Sequence, residues 1–198
     1  MIDLTGIELI AIGGSAGGIK ALLEVLKPLP KDFPIPIVVV LHRLKNVPST
    51  LQSVFQHHTL LQVKEADEKE TIQPRCAYIA PANYHLLIEK DKTFALDYSE
   101  VVKYSRPSID ITFECVANIY GKKALGILLS GANSDGAYGL LLMKQKGAKC
   151  YVQDPKTAEV STMPQSALDN GAAHEVIALN RIGLFIKQAA LKAIKTNG

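Results

Sequence analysis

The segment Ile37–Leu41, with the sequence IVVVL, is the feature that most constrains the fold of this 198-residue chain. Every residue in it is apolar and most are β-branched, so it lacks the alternation expected of a strand with one face in water. Such a strand needs cover on both faces, which is typical of a parallel sheet between layers of helices. Because 47% of the residues are hydrophobic, the chain can bury a core large enough for that arrangement.

Strand and helix patterns alternate toward both ends of the chain, and two short strands around Asp91-Lys92 predict a hairpin between them. The predicted strands are at 7–12, 37–41, 77–79, 86–89, 94–98, 125–129 and 149–152, and the predicted helices are at 19–29, 136–146 and 182–195, with two more beginning near Pro48 and Arg106. We therefore predict an α/β fold, a mostly parallel sheet flanked by helices with an inserted antiparallel hairpin, in one domain over 1–198.

Charge and composition argue against several classes of protein. The net charge is only +3 and the basic residues are scattered, which argues against nucleic-acid binding. The longest apolar stretch, about seven residues, is too short to cross a bilayer, and the N-terminus has no basic signal-peptide region. Three cysteines without CxxC spacing, Cys76, Cys115 and Cys150, predict reduced, packed thiols in the cytoplasm.

Three strands deliver polar side chains to one edge of the predicted sheet. The first ends in Gly13-Gly14-Ser15, the second in His42, and the strand at 125–129 in the loop SGANSDGAYG, which contains Asp135. Ligands of open α/β sheets bind beyond the carboxyl ends of the strands. We expect these three segments to form the functional site.

The glycine-rich turn around Ser15 has two interpretations. A strand-to-helix turn of this kind binds anions, because the N–H groups of the first helical turn lack partners. A phosphate cradle or a simple helix cap is therefore one alternative. However, no GK[ST] follows, and Ser15 stands where a dinucleotide fingerprint has its second glycine. The other interpretation is a nucleophilic serine.

His42 and Asp135 supply what a nucleophilic Ser15 would need. An imidazole is the usual base for a serine hydroxyl, and a carboxylate fixes the tautomer of that imidazole. Asp154, in VQDP after a later strand, is a rival for the role of Asp135. Ser15, His42 and Asp135 together predict a catalytic triad. The oxyanion of its tetrahedral intermediate would be held by N–H groups of the turn at Gly14, Ala16 and Gly17.

Other polar residues are weaker candidates. His57-His58 lack a partnering carboxylate pattern, so an exposed turn is a better interpretation than a metal site, and we expect neither a metal nor an organic cofactor. His85 precedes a strand and is either structural or at the rim of the pocket. Met163-Pro164 is expected in a loop near the cleft, where a packing role and a substrate contact are equally open.

Six segments, in order, carry a resemblance over nearly the whole chain: AIGGSAGG, LHR, YIAPANYHLLIE, RPSIDITFECVA, LLSGANSDGAYGL and MPQSALDNGA. On these the chain resembles the catalytic domain of CheB-type chemotaxis protein-glutamate methylesterases. The resemblance implies a doubly wound sheet and hydrolysis of glutamate methyl esters on chemoreceptor signalling helices, with methanol released and some receptor glutamines deamidated. It also implies that the nucleophile is Ser15, the base His42 and the acid Asp135, which favours Asp135 over Asp154.

Some features depart from that family pattern. No receiver domain fits before the first strand, so activity is expected to be unregulated in that way or controlled by a separate protein. Ala16, Ala132 and Gln165 replace the threonine, methionine and arginine usual at those positions, and Ala132 and Met163 remain candidates for substrate contact. Two competing hypotheses are a non-catalytic module that binds an anion or a signalling protein, and a hydrolase of small-molecule esters.

Overall fold

The computed structural model of the chain describes residues 5–43 and 50–196. Its strands are β1 (Leu9–Gly14), β2 (Ile37–Leu41), β3 (Gln62–Glu65), β4 (Cys76–Ile79), β5 (His85–Ile88), β6 (Phe94–Asp97), β7 (Ala124–Leu128), β8 (Lys149–Gln153) and β9 (Glu175–Ile177). Its helices are α1 (Gly18–Leu26), α2 (Leu51–Gln56), α3 (Ile109–Tyr120), α4 (Ala137–Gln145), α5 (Thr162–Asp169) and α6 (Leu179–Thr196). Short 3-10 turns lie at Gly121–Lys123 and Pro155–Thr157.

The main sheet has seven parallel strands in the order β3-β4-β2-β1-β7-β8-β9, and β5 pairs with β6 in a separate antiparallel sheet. From β1 the chain adds strands first on one side and then on the other, which is the doubly wound arrangement. The order therefore reverses at β1, and a crevice opens there beyond the carboxyl ends of the strands. Gly14 at the end of β1 pairs with Leu41 at the end of β2, so the next residues of both segments, Ser15 and His42, are brought together.

Two hydrophobic cores cover the two faces of the main sheet. On one face, α1 and α6 pack over residues such as Ile12 and Val39. On the other, α3, α4 and the hairpin enclose residues such as Val40 and Leu128. Every residue of β1, β2 and β7 is buried, as the uninterrupted apolar sequences of these strands require.

The predicted α/β architecture with an inserted hairpin is confirmed, but three elements were missed: β3, β9 and α5. Met163-Pro164 lies in the first turn of α5, so the prediction of a loop there is wrong. Proline is tolerated in a first helical turn because its missing N–H would have no partner in the helix. The predicted helix start at Pro48 lies outside the described residues, and α2 begins at Leu51.

The three cysteines form no disulfide; Cys76 and Cys150 are buried and Cys115 is half-buried. Burial raises the pKa of the Cys150 thiol to about 12, so this thiol stays protonated and unreactive. No helix in the described part of the chain is long and apolar enough to span a membrane. Within the same residues, no cluster of three or more histidine, cysteine or acidic side chains is arranged to hold a metal ion.

Candidate active site

Ser15 lies in the tight turn that joins β1 to α1. Its N–H donates to the carbonyl of Ser130 at 2.9 Å, and its own carbonyl accepts from Gly18 N–H at 2.7 Å. Gly17 has a left-handed backbone with φ of 75°. A Cβ at Gly17 would lie 2.7 Å from both Ser130 Oγ and Glu159 Cβ, so only glycine fits there. The turn therefore holds Ser15 in a fixed position at the edge of the sheet.

His42 follows the end of β2, directly beside Ser15. Its N–H donates to the Gly14 carbonyl at 3.2 Å, which continues the parallel ladder between β1 and β2 by one step. The next residue, Arg43, secures this strand end from the other side, because its guanidinium donates to Glu65 at 2.7 Å and to the Ala80 carbonyl at 3.2 Å. The imidazole is 12% exposed, so it lies in the wall of the crevice.

Asp135, in the loop after β7, is completely buried at the N-terminus of α3. Its Oδ1 accepts hydrogen bonds from Ser108 Oγ at 3.0 Å and from Asp110 N–H at 3.1 Å. Its Oδ2 accepts from Ile109 N–H at 2.7 Å and lies 2.7 Å from His42 Nε2. The structure therefore brings together two of the three residues of the expected triad. The rival Asp154 instead caps the 3-10 turn by accepting from Lys156 N–H at 2.9 Å.

The surroundings of Asp135 keep its carboxyl ionised. Burial by itself raises the pKa of Asp135, but the hydrogen bond with His42 and the N–H groups of Ile109 and Asp110 outweigh burial, so this pKa lies below its usual range. An ionised carboxylate only accepts hydrogen bonds. His42 Nε2 must therefore carry a hydrogen, and in the neutral ring Nδ1 is left as the lone-pair nitrogen.

A second aspartate, Asp110, supports the first and was not identified from the sequence. Asp110 Oδ1 accepts from Gly136 N–H at 2.9 Å and from Gly139 N–H at 2.7 Å, while Oδ2 accepts from Lys103 Nζ at 2.6 Å. Asp135 thus caps α3 and Asp110 caps α4, each from the opposite segment. Burial and the charge of Asp135 raise the pKa of Asp110, against the opposing effect of Lys103.

The predicted contact between Ser15 and His42 is not made. His42 Nδ1 faces the hydroxyl of Ser105 at 3.2 Å, and Nε2 faces Asp135. Over residues 5–43 and 50–196, no hydrogen bond joins the Ser15 hydroxyl to the imidazole. The physical reason is that the segment before α3 places the Ser105 hydroxyl at His42 Nδ1, the nitrogen that Ser15 would need. Sequence reasoning missed Ser105, and no pattern in the chain marks it.

The three turn residues predicted to hold an oxyanion differ in exposure and in hydrogen bonding. Gly14 is buried, Gly17 is half-buried and Ala16 is exposed. In the described part of the chain, the N–H groups of Ala16 and Gly17 donate no backbone hydrogen bond, whereas the flanking Ser15 and Gly18 N–H groups both do. These two N–H groups at the start of α1 are free to bind a developing negative charge.

The two residues proposed for substrate contact differ sharply. Ala132 is exposed in the same loop as Asp135. Met163 is completely buried and packs against Gly131, where an added Cβ would lie 2.5 Å from Met163 Cε. Of the two roles that the sequence left open, packing and substrate contact, Met163 therefore has the packing role. It presents no surface to a substrate in this structure.

The other histidines have structural roles. His85 is completely buried; its Nδ1 accepts from Ser108 N–H at 3.1 Å and its Nε2 lies 2.9 Å from the Glu100 carbonyl. It therefore holds the segment that leads into α3. His57 and His58 are exposed in a turn after α2, and each ring lies against a carbonyl of that helix.

A doubly wound sheet that brings a buried aspartate–histidine pair beside a serine in a glycine-rich turn is the framework of a hydrolase. The family model described as CheB methylesterase matches residues 10–186. The chain therefore belongs to the CheB methylesterase family. Consistent with this, it superimposes with a TM-score of 0.88 on the crystal structure of the Thermotoga maritima CheB methylesterase catalytic domain, at 33% identity, covering 92% of this chain and 98% of that one.

Two curated relatives differ in length. A Leptospira interrogans protein named as a putative protein-glutamate methylesterase/protein-glutamine glutaminase is 46% identical over 181 residues, which are 91% of this chain and 94% of that protein. The protein-glutamate methylesterase FrzG of Myxococcus xanthus is 35% identical over 180 residues, which are 91% of this chain but only 54% of FrzG. The chain thus spans nearly all of the first relative and about half of the second.

Proposed function

We propose that this chain is a protein-glutamate methylesterase that removes methyl esters from glutamate side chains of chemoreceptor signalling helices and also deamidates receptor glutamines. Ser15 is the nucleophile, His42 the base and Asp135 the residue that orients the base. The observation that carries the proposal is the 2.7 Å contact between His42 Nε2 and the buried Asp135, beside Ser15 at adjoining strand ends. The family and the names of its members supply the substrate.

The first half of the reaction acylates the enzyme. Ser15 Oγ attacks the ester carbonyl carbon while its proton moves to His42 Nδ1, and Asp135 stabilises the imidazolium through Nε2–H. The N–H groups of Ala16 and Gly17 hold the oxyanion of the tetrahedral intermediate. When that intermediate collapses, the bond to the methoxy group breaks, and the group leaves as methanol with the proton from His42.

The second half returns the enzyme to its starting state. A water molecule gives a proton to His42 Nδ1 and attacks the acyl carbon, and the glutamate product leaves as Ser15 recovers the proton. A glutamine amide reacts along the same path with ammonia as the leaving group. Because side-chain protons and backbone N–H groups account for every step, the mechanism uses no cofactor and no metal.

The surface around the site supports a protein substrate. Large apolar side chains near the ends of the strands are exposed, among them Ile19, Tyr98, Tyr104 and Tyr138. Exposed apolar side chains of this size are typical of surfaces that dock another protein. We infer that the partners are receptor helices in the cytoplasm and that no nucleic acid is bound. We also infer that residues 1–198 act as one domain and that a separate regulatory protein can control its activity.

Methanol release measured on methylated receptor fragments and on a simple glutamate methyl ester tests the proposal. We expect Ser15→Ala to lower turnover by several orders of magnitude, since removing a member of a catalytic triad costs about 10⁶ in kcat in a well-studied case. Its folded stability should be unchanged, because Ser15 is only half-buried.

The matched control is Ser53→Ala, an exposed serine on α2, which should release methanol at the rate of the unaltered protein. Equal release by Ser15→Ala and the unaltered protein would refute catalysis and leave the alternative of a binding module. Serine-dependent hydrolysis of the simple ester without any on receptor fragments would instead identify a small-molecule esterase.

A further inference from the structure

The lone-pair nitrogen of His42 already has a partner in this structure. Asp135 accepts from Nε2–H, so Nδ1 is the only ring nitrogen that can take a proton from a serine. Ser105 Oγ lies 3.2 Å from that nitrogen. Because Nδ1 has a single lone pair in the ring plane, it accepts from one hydroxyl at a time, and Ser105 and Ser15 exclude each other.

We propose that Ser105 is a positioning residue that occupies His42 Nδ1 in the free protein and withholds it from Ser15 until a protein substrate docks. This inference rests on the proposed function, because it takes Ser15 as the nucleophile. It goes beyond that function by assigning a regulatory contact within the domain itself. The segment involved, residues 98–108 between β6 and α3, is here called the Ser105 segment.

Lys103 and Arg106 make the side-chain contacts that shape the Ser105 segment, in addition to the contact of His85 with the Glu100 carbonyl. Lys103 Nζ donates to Asp110 Oδ2 at 2.6 Å and to the Ser134 carbonyl at 3.2 Å, which ties the segment to the loop of Asp135. Arg106 donates to the carbonyls of Tyr98 at 3.0 Å and Ser99 at 2.5 Å. Lys103 is 39% exposed, so water competes for its contacts and its ion pair is a weak restraint.

The outer face of the Ser105 segment exposes large apolar side chains beside the exposed polar residues Ser99, Glu100 and Lys103. Tyr98 is 66% exposed, Val101 40% and Tyr104 99%. Lys103 and Tyr104 both have left-handed backbones, with φ of 46° and 63°, in the tight turn closed by hydrogen bonds between Val102 and Ser105. That turn projects Tyr104 outward and Ser105 inward, so a partner that buries the tyrosine acts on the same turn that carries the hydroxyl.

The exposed side chains of Tyr98, Val101 and Tyr104 favour a protein chain as the docking partner. Burying several aromatic side chains requires a continuous apolar surface, such as one face of an amphipathic helix. A simple methyl ester reaches His42 without covering Tyr98 or Tyr104. The contact from Ser105 therefore remains in place for a small ester and is released for a receptor helix.

The test is the rate at which a fluorophosphonate, a small reagent that phosphonylates activated serines with loss of fluoride, labels Ser15 in the free protein. We expect Ser105→Ala to speed labelling about two- to tenfold. This range corresponds to the net free energy of the one neutral hydrogen bond that the change removes. Ser105→Thr keeps the hydroxyl and should label at the original rate. Ser99→Ala, in the same segment but bonded to Asp97, is the matched control and should change nothing.

A second readout separates regulation from simple structural support. Ser105→Ala should raise kcat/KM for a simple glutamate methyl ester by the same two- to tenfold, yet leave methanol release from a receptor fragment within about twofold. Ser105→Gly removes the same hydroxyl. If either Ser105→Ala or Ser105→Gly fails to fold, the other variant still tests the inference. Thermal unfolding of each variant verifies the fold.

Three outcomes would overturn the inference. Unchanged or slower labelling of Ser15 in a folded Ser105→Ala protein would show that Ser105 does not withhold the base. An equal gain on simple esters and receptor fragments would show that docking does not release it. Fluorophosphonate found on Ser105 by mass spectrometry would make Ser105 the nucleophile. Failure of the proposed function is distinct, because it appears as methanol release that Ser15→Ala does not lower.

Discussion

The two sides of the His42 ring are built differently. On the aspartate side, Asp135 is completely buried and both of its oxygens are occupied, with Asp110 reinforcing the same corner through α4. On the serine side, Ser15 is half-buried, its hydroxyl does not reach the ring, and the ring nitrogen faces Ser105 on an exposed segment. One side is buried and fully hydrogen-bonded, and the other is open to the surface.

This difference separates two tasks of a hydrolase. A base must keep one tautomer and one orientation in every turnover, which a dense set of buried hydrogen bonds provides. A nucleophile needs access to its substrate and can be activated on docking, which requires an open face. Breaking the aspartate side should therefore cost catalysis and change stability, whereas changes around the open face should mainly alter how substrates are used.

The largest effect is expected from Asp135→Asn. An amide NH₂ facing His42 Nε2 favours the wrong tautomer, because that nitrogen would then have to accept rather than donate. We expect kcat for methanol release to fall about 10⁴-fold, as the comparable change does in a serine protease. Asp154→Asn, at the rival aspartate, is the matched control and should keep full activity. A comparable loss in both variants would refute the assignment of Asp135.

A smaller effect concerns how stability depends on pH. The pKa of Asp135 is lowered, so its stabilising contribution is present above the ordinary carboxyl pKa and is lost as pH falls through the lowered value. The pKa of Asp110 is raised, so its contribution is present below the ordinary pKa and is lost as pH rises through the raised value. The two buried carboxylates therefore act in opposite directions.

Urea unfolding of Asp135→Asn and Asp110→Asn across the acid range checks this. The free energy of unfolding of the unaltered protein minus that of Asp135→Asn should shrink as pH falls. The corresponding difference for Asp110→Asn should shrink as pH rises. Each variant is the control for the other, and differences that change with pH in the same direction would contradict the opposite shifts.

The smallest effect is expected on the serine side, from Ala132→Met. Ala132 is exposed in the loop of Asp135, so a longer apolar side chain there changes no internal contact. If it packs against a receptor helix, the added apolar surface should lower KM for receptor fragments by about fourfold for each methylene-sized group that is buried, with kcat unchanged. Kinetics on a simple glutamate ester are the control and should not change. A fall in kcat would show that Ala132 lies closer to the reacting atoms than proposed.

Most of the fold could be predicted because its central strands are strongly patterned. Ile37–Leu41 was predicted with the observed bounds, since an apolar run between prolines and His42 has few alternatives. The strand Gln62–Glu65 was missed because it lies at the sheet edge and its sequence is largely polar. The strand Glu175–Ile177 is too short to show a period, and Pro164 concealed α5.

The site could be predicted only in part. Strand ends indicated Ser15 and His42, because parallel strands deliver their next residues to one edge. Asp135 was preferred to Asp154 through the family resemblance, and the structure gives the physical reason in the N–H groups at the start of α3. Asp110 was not identified, since an acidic residue in a first helical turn is common and its target in α4 is distant in the chain.

What the sequence by itself determined was the layered α/β fold and the edge of the sheet where chemistry occurs, because hydrophobic periodicity and glycine turns are local properties. What only the tertiary structure decided was which hydroxyl meets the histidine. Ser15 adjoins His42 through the strand ladder, yet Ser105, carried in from the segment before α3, holds the ring nitrogen. Hydrogen bonds act over a few ångströms and depend on direction, so such a choice depends on how distant segments pack.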